Sequence, residues 1–308
     1  MAFTAADVKA LREKTGVGMM ECKKALAETD GDMEKAIDIL REKGLASAAK
    51  KASRVAAEGV VAAYSDDTAG ALVEINCETD FVAKGAPFVE LSKKVVKTVV
   101  AAKPADVETL LATKAVDSDK TVDEEVQEVF LALRENMKVR RFAIVEGHTA
   151  SYIHAGGTVG VLVAFDVDDA TAAKAEFSEM GKNVAMQVAA MNPAYLDEAA
   201  VPAETIEHEK SILIAQMKED PKMANKPEQV LGKIVEGKIG KYYKENCLLN
   251  QDFVRSDLFE GSVSGYVASV AKTLGADIKI TSFVRFEKGE GIEKKQDNFA
   301  EEIASMMK

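Results

Sequence analysis

Thr68-Ala-Gly70-Ala-Leu72-Val73 and Thr158-Val-Gly160-Val-Leu162-Val163 align when the chain is slid against itself by 90 positions. The first copy belongs to a longer pattern. Gly59–Tyr64 and Ala71–Cys77 are β-rich runs on either side of Ser65-Asp-Asp-Thr-Ala-Gly70, a hairpin signal. A helix over Pro87–Ala102 follows, with Phe88, Leu91, Val95 and Val99 on one stripe. After the second copy comes another helical stripe, Val184, Val188 and Met191. The shared order, hairpin then helix, predicts an α+β fold with a two-part core of antiparallel sheets. Its first half covers residues 59–145, and its second half 146–203 and 246–288.

Upstream, residues 1–45 read as three short helices. Thr4 can cap the first, with Asp7 at the third helical position, and Val8 and Leu11 recur at helical spacing before Thr15-Gly16. The second runs from about Val17 to Glu28. Asp32 can cap a third, whose Ile37 and Leu40 face inward before Gly44 ends it. Residues 46–58, rich in Ala and Lys, predict a helical connector in which Lys50, Lys51 and Arg54 make a solvated face. An acidic-headed helix is expected over about Asp123–Met137.

Residues 204–245 interrupt the second half. Ile206, Leu213 and Met217 mark one amphipathic helix. After Asp220-Pro221, Asn225 and Pro227 open another with Val230, Ile234, Ile239 and Tyr242. Together they predict an inserted αα-hairpin, which serves either as a structural arm or as a coiled-coil-like face for another chain. A helix near Val263–Leu274, a strand Ile278–Phe286 and a C-terminal helix over 289–308 with Phe299, Ile303 and Met306 complete the reading.

With 308 residues, 47% hydrophobic and 30% charged, the chain can bury real cores. Its net charge of −11 opposes non-specific nucleic-acid binding, which needs clustered cations to displace counterions from phosphate. Cys22, Cys77 and Cys247 are far apart and predict neither a disulfide scaffold nor a zinc site, hence a reducing, cytoplasmic setting. No apolar run approaches the roughly 20 residues of a membrane span, and the first residues lack the pattern of a signal peptide.

Gly232-Lys-Ile-Val-Glu-Gly237-Lys238-Ile239 matches the outline of a phosphate-binding loop. However, Ile239 stands where a hydroxyl must hold magnesium, and the stretch lies in a helical pattern. His148, His154 and His208 have no metal-ligand spacing. No nucleophile signature is present, so the expectation is no cofactor, no metal and no enzyme.

Two stretches are candidates for contact with a partner. Glu78-Thr79-Asp80-Phe81-Val82-Ala83-Lys84 follows the strand Ala71–Cys77 and carries a single large aromatic. Either this is a contact loop, or Asp80 caps a helical turn and Phe81 tucks into the core; composition favours the second. Met19-Met20 poses the same choice between core filler and adaptable contact.

Taken together, Thr15-Gly-Val-Gly-Met-Met20-Glu-Cys22-Lys-Lys-Ala-Leu26, Glu58-Gly59-Val, Asn76-Cys77-Glu-Thr-Asp80-Phe81-Val-Ala-Lys84 and Phe283-Val-Arg285-Phe286-Glu-Lys-Gly-Glu-Gly-Ile292-Glu-Lys294 resemble the bacterial translation elongation factor Ts family, in order and over essentially the whole chain. The resemblance implies an N-terminal three-helix domain of the ubiquitin-associated type, the two-part core, the inserted hairpin and a C-terminal helical module. It implies a guanine-nucleotide exchange factor that binds elongation factor Tu carrying GDP and promotes GDP release, without binding nucleotide itself. By matching position, Thr79, Asp80, Phe81 and Val82 would disturb the partner's magnesium site. Arg12, Met19, Met20, His154, Phe253 and Val254 would make further contacts. One departure stands out: Arg134 occupies a position before Glu135-Asn136 where the family commonly has Gly, which offers a side-chain contact in place of a close backbone approach. The hairpin is left between a homodimer, a two-plus-two complex, a contact with factor Tu, and none of these. The competing class is a protein-binding module without exchange activity, for which the Thr79-Asp80-Phe81 tip would have no use.

Overall fold

In the computed structural model, which describes residues 3–51, 53–219 and 227–293, Thr4 opens α1 (Ala5–Thr15) with a reciprocal cap. Its side chain accepts the Asp7 N–H, and the Asp7 carboxylate accepts the Thr4 N–H. α2 (Met19–Glu28) and α3 (Met33–Lys51) follow, and the three helices bury Val8, Leu11, Cys22, Leu26 and Leu40 together. Contrary to expectation, Gly44 does not end α3. The helix runs through it to Lys51, so only part of the 46–58 connector is helical and a turn precedes the first strand. Gly44 serves a different purpose: a Cβ there would lie 2.0 Å from Leu131 Cδ2, so its missing side chain is what lets α3 approach its neighbour.

The first half contains β1 (Glu58–Ser65), β2 (Ala69–Cys77), α4 (Asp80–Lys84), α5 (Ala86–Ala102), α6 (Val107–Ala112), α7 (Val122–Leu133) and β3 (Met137–Glu146). The strands pair antiparallel in the order β1-β2-β3. β3 corrects the expected helix over 123–137, which ends at Leu133; Met137 already begins the strand. The second half contains β4 (His148–His154), β5 (Val159–Asp166), α8 (Asp169–Ala172), α9 (Ala175–Met191), α10 (Ala203–Glu219), α11 (Glu228–Asn246), α12 (Val263–Leu274) and β6 (Lys279–Glu287). Its sheet, β4-β5-β6, is also antiparallel. The fold is therefore α+β with two three-stranded antiparallel sheets, as the repeat predicts.

Side-chain alternation explains how the halves stack. Ala71, Val73, Ile75 and Cys77 of β2 point to one face and pack with Phe88, Leu91, Val95 and Val99 of α5. Val161, Val163 and Phe165 of β5 pack likewise with Val184 and Val188 of α9 and Val263 of α12. Leu72 and Leu162 point the other way and meet Val61 and Phe286 between the two sheets. Helices thus cover the outer faces while the sheets pack on each other. Fully burying each leucine contributes about 2 kcal/mol. The repeated glycine belongs to this inner contact: a Cβ on Gly70 would come within 2.7 Å of Leu162, and one on Gly160 within 2.4 Å of Val61.

A second feature repeats at the same offset. The register slips at Glu74/Ile75 in the first sheet and at Ala164/Phe165 in the second. In the first sheet this bulge brings Arg140 and Arg141, which an unbroken strand would send to opposite faces, to one carboxylate. Glu74, fully buried, accepts from Arg140 Nη1 at 3.0 Å, Arg141 Nε at 2.6 Å, Asn76 Nδ2 at 3.1 Å and the Gly289 N–H at 2.7 Å. Arg141 also lies 4.2 Å over the Phe286 ring and bonds Glu290. Burial pushes the Glu74 carboxyl up, but the Gly289 N–H, Arg140, Asn76 and Arg141 outweigh it and hold the group below its ordinary value.

Gly289 is locked by the same contact. It has φ 70°, and a Cβ there would sit 2.4 Å from the Ala57 carbonyl oxygen. Residues 288–291 form a turn and 292–293 no regular element, so the expected C-terminal helix does not start at 289; Phe299, Ile303 and Met306 lie outside the described residues. α10 and α11 bury Ile206, Met217, Val235 and Ile239 against each other, whereas Asp220, Pro221 and Asn225 lie outside the described residues. Gly232 to Lys238 form part of the continuous helix α11. Among the described residues, no helix is long and apolar enough to cross a membrane.

Candidate functional site

Where β2 ends, the chain makes a single outward helical turn. Thr79 caps α4 by accepting the Val82 N–H, and Gly85 closes the turn after five residues. An isolated helix this short is unstable, so its shape must come from outside. Glu135 supplies one anchor: its carboxylate accepts the Thr79 N–H at 3.0 Å and the Thr79 hydroxyl at 2.6 Å. Glu78 supplies another, accepting the Asn136 N–H at 2.6 Å and pairing with Arg54 at 3.3 Å. Asn136 Nδ2 donates back to the Arg54 carbonyl at 2.8 Å. The Cys77 thiol donates to the Thr79 carbonyl at 3.2 Å, and burial, reinforced by the charge of Glu135, pushes it up to about 12. It is a packing thiol rather than a nucleophile.

Ala83 faces the core and Val82 packs partly against it. Phe81, 86% exposed, does neither. Composition favoured a buried Phe81 with Asp80 as the cap; the structure instead makes Thr79 the cap, Asp80 the first helical residue and Phe81 an outward aromatic. Asp80 Oδ2 lies 2.6 Å from Lys84 Nζ one turn on, and the hydrogen bond from Lys84 holds its carboxyl below the usual range. The tip thus presents a carboxylate, a phenyl ring and an ammonium, and Thr79 is its internal support.

Arg134 supports the same tip. It closes α7 in the left-handed region, φ 61° and ψ 25°, with its N–H on the Phe130 carbonyl at 2.7 Å. The strain at this position is conformational: a left-handed backbone favours a residue without a Cβ, and the arginine occupies it at a cost. Lys51 Nζ bonds the Arg134 carbonyl, so Lys51 and Arg54 are engaged at this junction and do not form a merely solvated face. Arg134→Gly is expected to stabilise the chain by about 0.5–1 kcal/mol, the left-handed penalty less the entropy of the unfolded glycine. Urea denaturation checks this, and an unchanged or lower midpoint would contradict it.

The other sequence-derived candidates separate into two sets. Met20 is 65% exposed, Met19 is 40% exposed, and Arg12 and His154 are also exposed, so Met19-Met20 is not core filler. Phe253 is only 5% exposed and stacks on Tyr266 at 4.1 Å, so its ring packs into this chain's own core. Its neighbour Val254, 42% exposed, faces outward. The α1–α3 unit is seated on α7, where a Cβ on Gly16 would lie 2.9 Å from Ala132, two residues before the turn that holds the tip. His154 belongs to the same end of the core. The Thr158 N–H bonds the His154 carbonyl, the Lys288 N–H bonds the Thr158 carbonyl, and Lys288 Nζ bonds Glu58, whose strand partner is Cys77.

A cleft at the opposite end of β1–β2, lined by Asp66, His148, Asp169 and Lys182, pairs His148 Nε2 with Asp169 Oδ1 at 2.9 Å. Among the described residues, no group of three or more His, Cys, Asp or Glu side chains is placed to hold a metal. Sequence reasoning missed Glu135, Asn136 and Arg54 as parts of the tip. They lie far from it along the chain, and the only signal was the departure at Arg134.

With this geometry in view, comparison with known proteins is specific. The family model described as Elongation factor TS matches residues 78–290, from the tip to the turn locked by Glu74. Elongation factor Ts of Clostridium perfringens (strain SM101 / Type A) is 50% identical over 99% of each chain. Elongation factor Ts of Clostridium botulinum (strain ATCC 19397 / Type A) is 48% identical over 99% of this chain and 98% of its own. The protein is a translation elongation factor of protein biosynthesis. Within that class, it belongs to the elongation factor Ts family.

Proposed function

We propose that this chain is the cytoplasmic guanine-nucleotide exchange factor for elongation factor Tu, and that its tip does the work. The observation that carries the reading is the exposed Phe81 on a capped and externally braced turn. A large aromatic held in water costs solvation and adds nothing to this chain's own core, which is the economy of a contact residue. Phe81 wedges between side chains of the partner's nucleotide-binding domain, and Asp80 competes for the groups that order magnesium. Mg²⁺ demands near-ideal octahedral oxygen coordination and bridges the partner to the nucleotide phosphates, so a small shift of its supports weakens both. The chain forms no covalent bond with substrate and binds no nucleotide itself.

α1–α3, read as a module of the ubiquitin-associated type, lays Arg12, Met19 and Met20 on the same partner, while His154 and Val254 extend the contact. Methionine suits this task because its flexible thioether adapts to a groove. The double change Met19→Ser with Met20→Ser is expected to raise the half-saturating concentration in exchange assays about tenfold, with the maximal rate unchanged. A lowered maximal rate at unchanged half-saturation would contradict that division of labour.

Linkage gives the test of the whole reading. If the chain lowers the partner's affinity for GDP by some factor, it must bind nucleotide-free factor Tu more tightly than GDP-bound factor Tu by the same factor. Calorimetric titration of both forms is expected to show this ratio matching the drop in GDP affinity. Equal affinities for the two forms would leave only the protein-binding module without exchange activity.

A further inference from the structure

We propose that Glu135 is the positioning residue of the tip: its carboxylate holds Thr79, and through Thr79 sets where Asp80 and Phe81 stand when the partner arrives. This rests on the exchange reading above and goes beyond it by naming what preorganises the intruding group. Both Glu135 oxygens are used, one on the Thr79 N–H at 3.0 Å and one on the Thr79 hydroxyl at 2.6 Å. These bonds grip both the backbone and the side chain of the residue that caps α4. α4 has five residues and turns only Ala83 fully inward, so little else holds its shape.

Glu135 is also well placed to set distance. It follows the left-handed turn at Arg134, which ends α7, and the last residues of α7 seat α1–α3 through the close approach at Ala132 and Leu131. One helix end therefore carries both the anchor of Phe81 and the seat of the unit bearing Met19 and Met20. A grip made at two points gains from the second only when the spacing is right. The three bonds that Glu78, Asn136 and Arg54 make around the junction keep the Glu135 backbone from drifting.

The test separates positioning from plain stability. Stimulated GDP release from factor Tu is measured against concentration for the full chain and its variants, each checked by circular dichroism. Glu135→Ala is expected to lower the maximal rate about tenfold, with half-saturation within about twofold of the parent chain, because encounter is left to α1–α3. Glu135→Gln keeps one acceptor oxygen for Thr79 and is expected to recover to within about threefold of the parent rate. Thr79→Val removes the hydroxyl from the other side together with the α4 cap, and its combination with Glu135→Ala is expected to lose less than the product of the two single losses, because the bond they share is counted once.

A folded Glu135→Ala chain with the parent maximal rate overturns the proposal, as does a double variant whose loss is the product of the single losses. If Glu135→Ala fails to fold, Glu135→Gln and Thr79→Val decide, and parent rates in both overturn it. Phe81→Ala is run beside them. Full stimulation there removes the tip reading itself, whereas lost stimulation there with full stimulation in Glu135→Ala removes only the role of Glu135.

Discussion

Replacing Phe81 with alanine, together with Asp80→Ala, is expected to leave the melting curve of this chain unchanged. It is also expected to slow stimulated GDP release from elongation factor Tu by at least about tenfold. The first half follows from exposure: Phe81 is 86% exposed, and changes at such surface positions usually fall within about 0.5 kcal/mol. The Asp80–Lys84 pair lost with it is solvent-exposed and worth little. The second half follows from differential binding. A ring that meets the partner only as its magnesium supports give way contributes to the exchange step and not to this chain's fold. Retained stimulation at the parent rate would refute the role assigned to the tip.

The largest effect on stability is expected at the other end of the chemistry, at Glu74. Glu74→Ala removes the acceptor for Arg140, Arg141, Asn76 and the Gly289 N–H at once, at a fully buried position between the sheets. Breaking one partner out of a buried ion pair typically costs about 3–5 kcal/mol, and the partial exposure of both arginines places this case near the lower figure. The corresponding drop in melting midpoint is about 6–12 °C. Acidification should reveal the same group. Its folded pKa lies below the ordinary value of an unfolded glutamate, so its contribution is complete above that ordinary value and is lost as pH falls through the lower, folded one. A Glu74→Ala chain that melts with the parent would show the network to be dispensable.

Fold and site differed in how far the sequence revealed them, for physical reasons. The two halves could be read because a strand buried on both faces, such as β2, is a long apolar run, and because Gly70 and Gly160 mark the same close approach of one sheet to the other. Gly44 misled because glycine serves both to stop a helix and to let two helices touch, and only the position of Leu131 distinguishes them. β3 was hidden because Arg140 and Arg141 interrupt its alternation, and they do so to reach Glu74 through a bulge that no local pattern announces. The residue types of the tip were visible, but its orientation was not. A five-residue turn has no stripe to read, and the support that turns Phe81 outward comes from Glu135, distant in sequence. Phe253 shows the converse: its neighbourhood matched a contact region, yet stacking on Tyr266 keeps its ring inside.

Stopped-flow release of labelled GDP from elongation factor Tu, with and without this chain, tests the central claim most directly. The expected result is a release rate that rises with the concentration of the chain and saturates, and that falls back toward the unstimulated rate when excess magnesium is supplied to the partner. A release rate indifferent to the chain at every concentration, with binding to factor Tu intact, would contradict it.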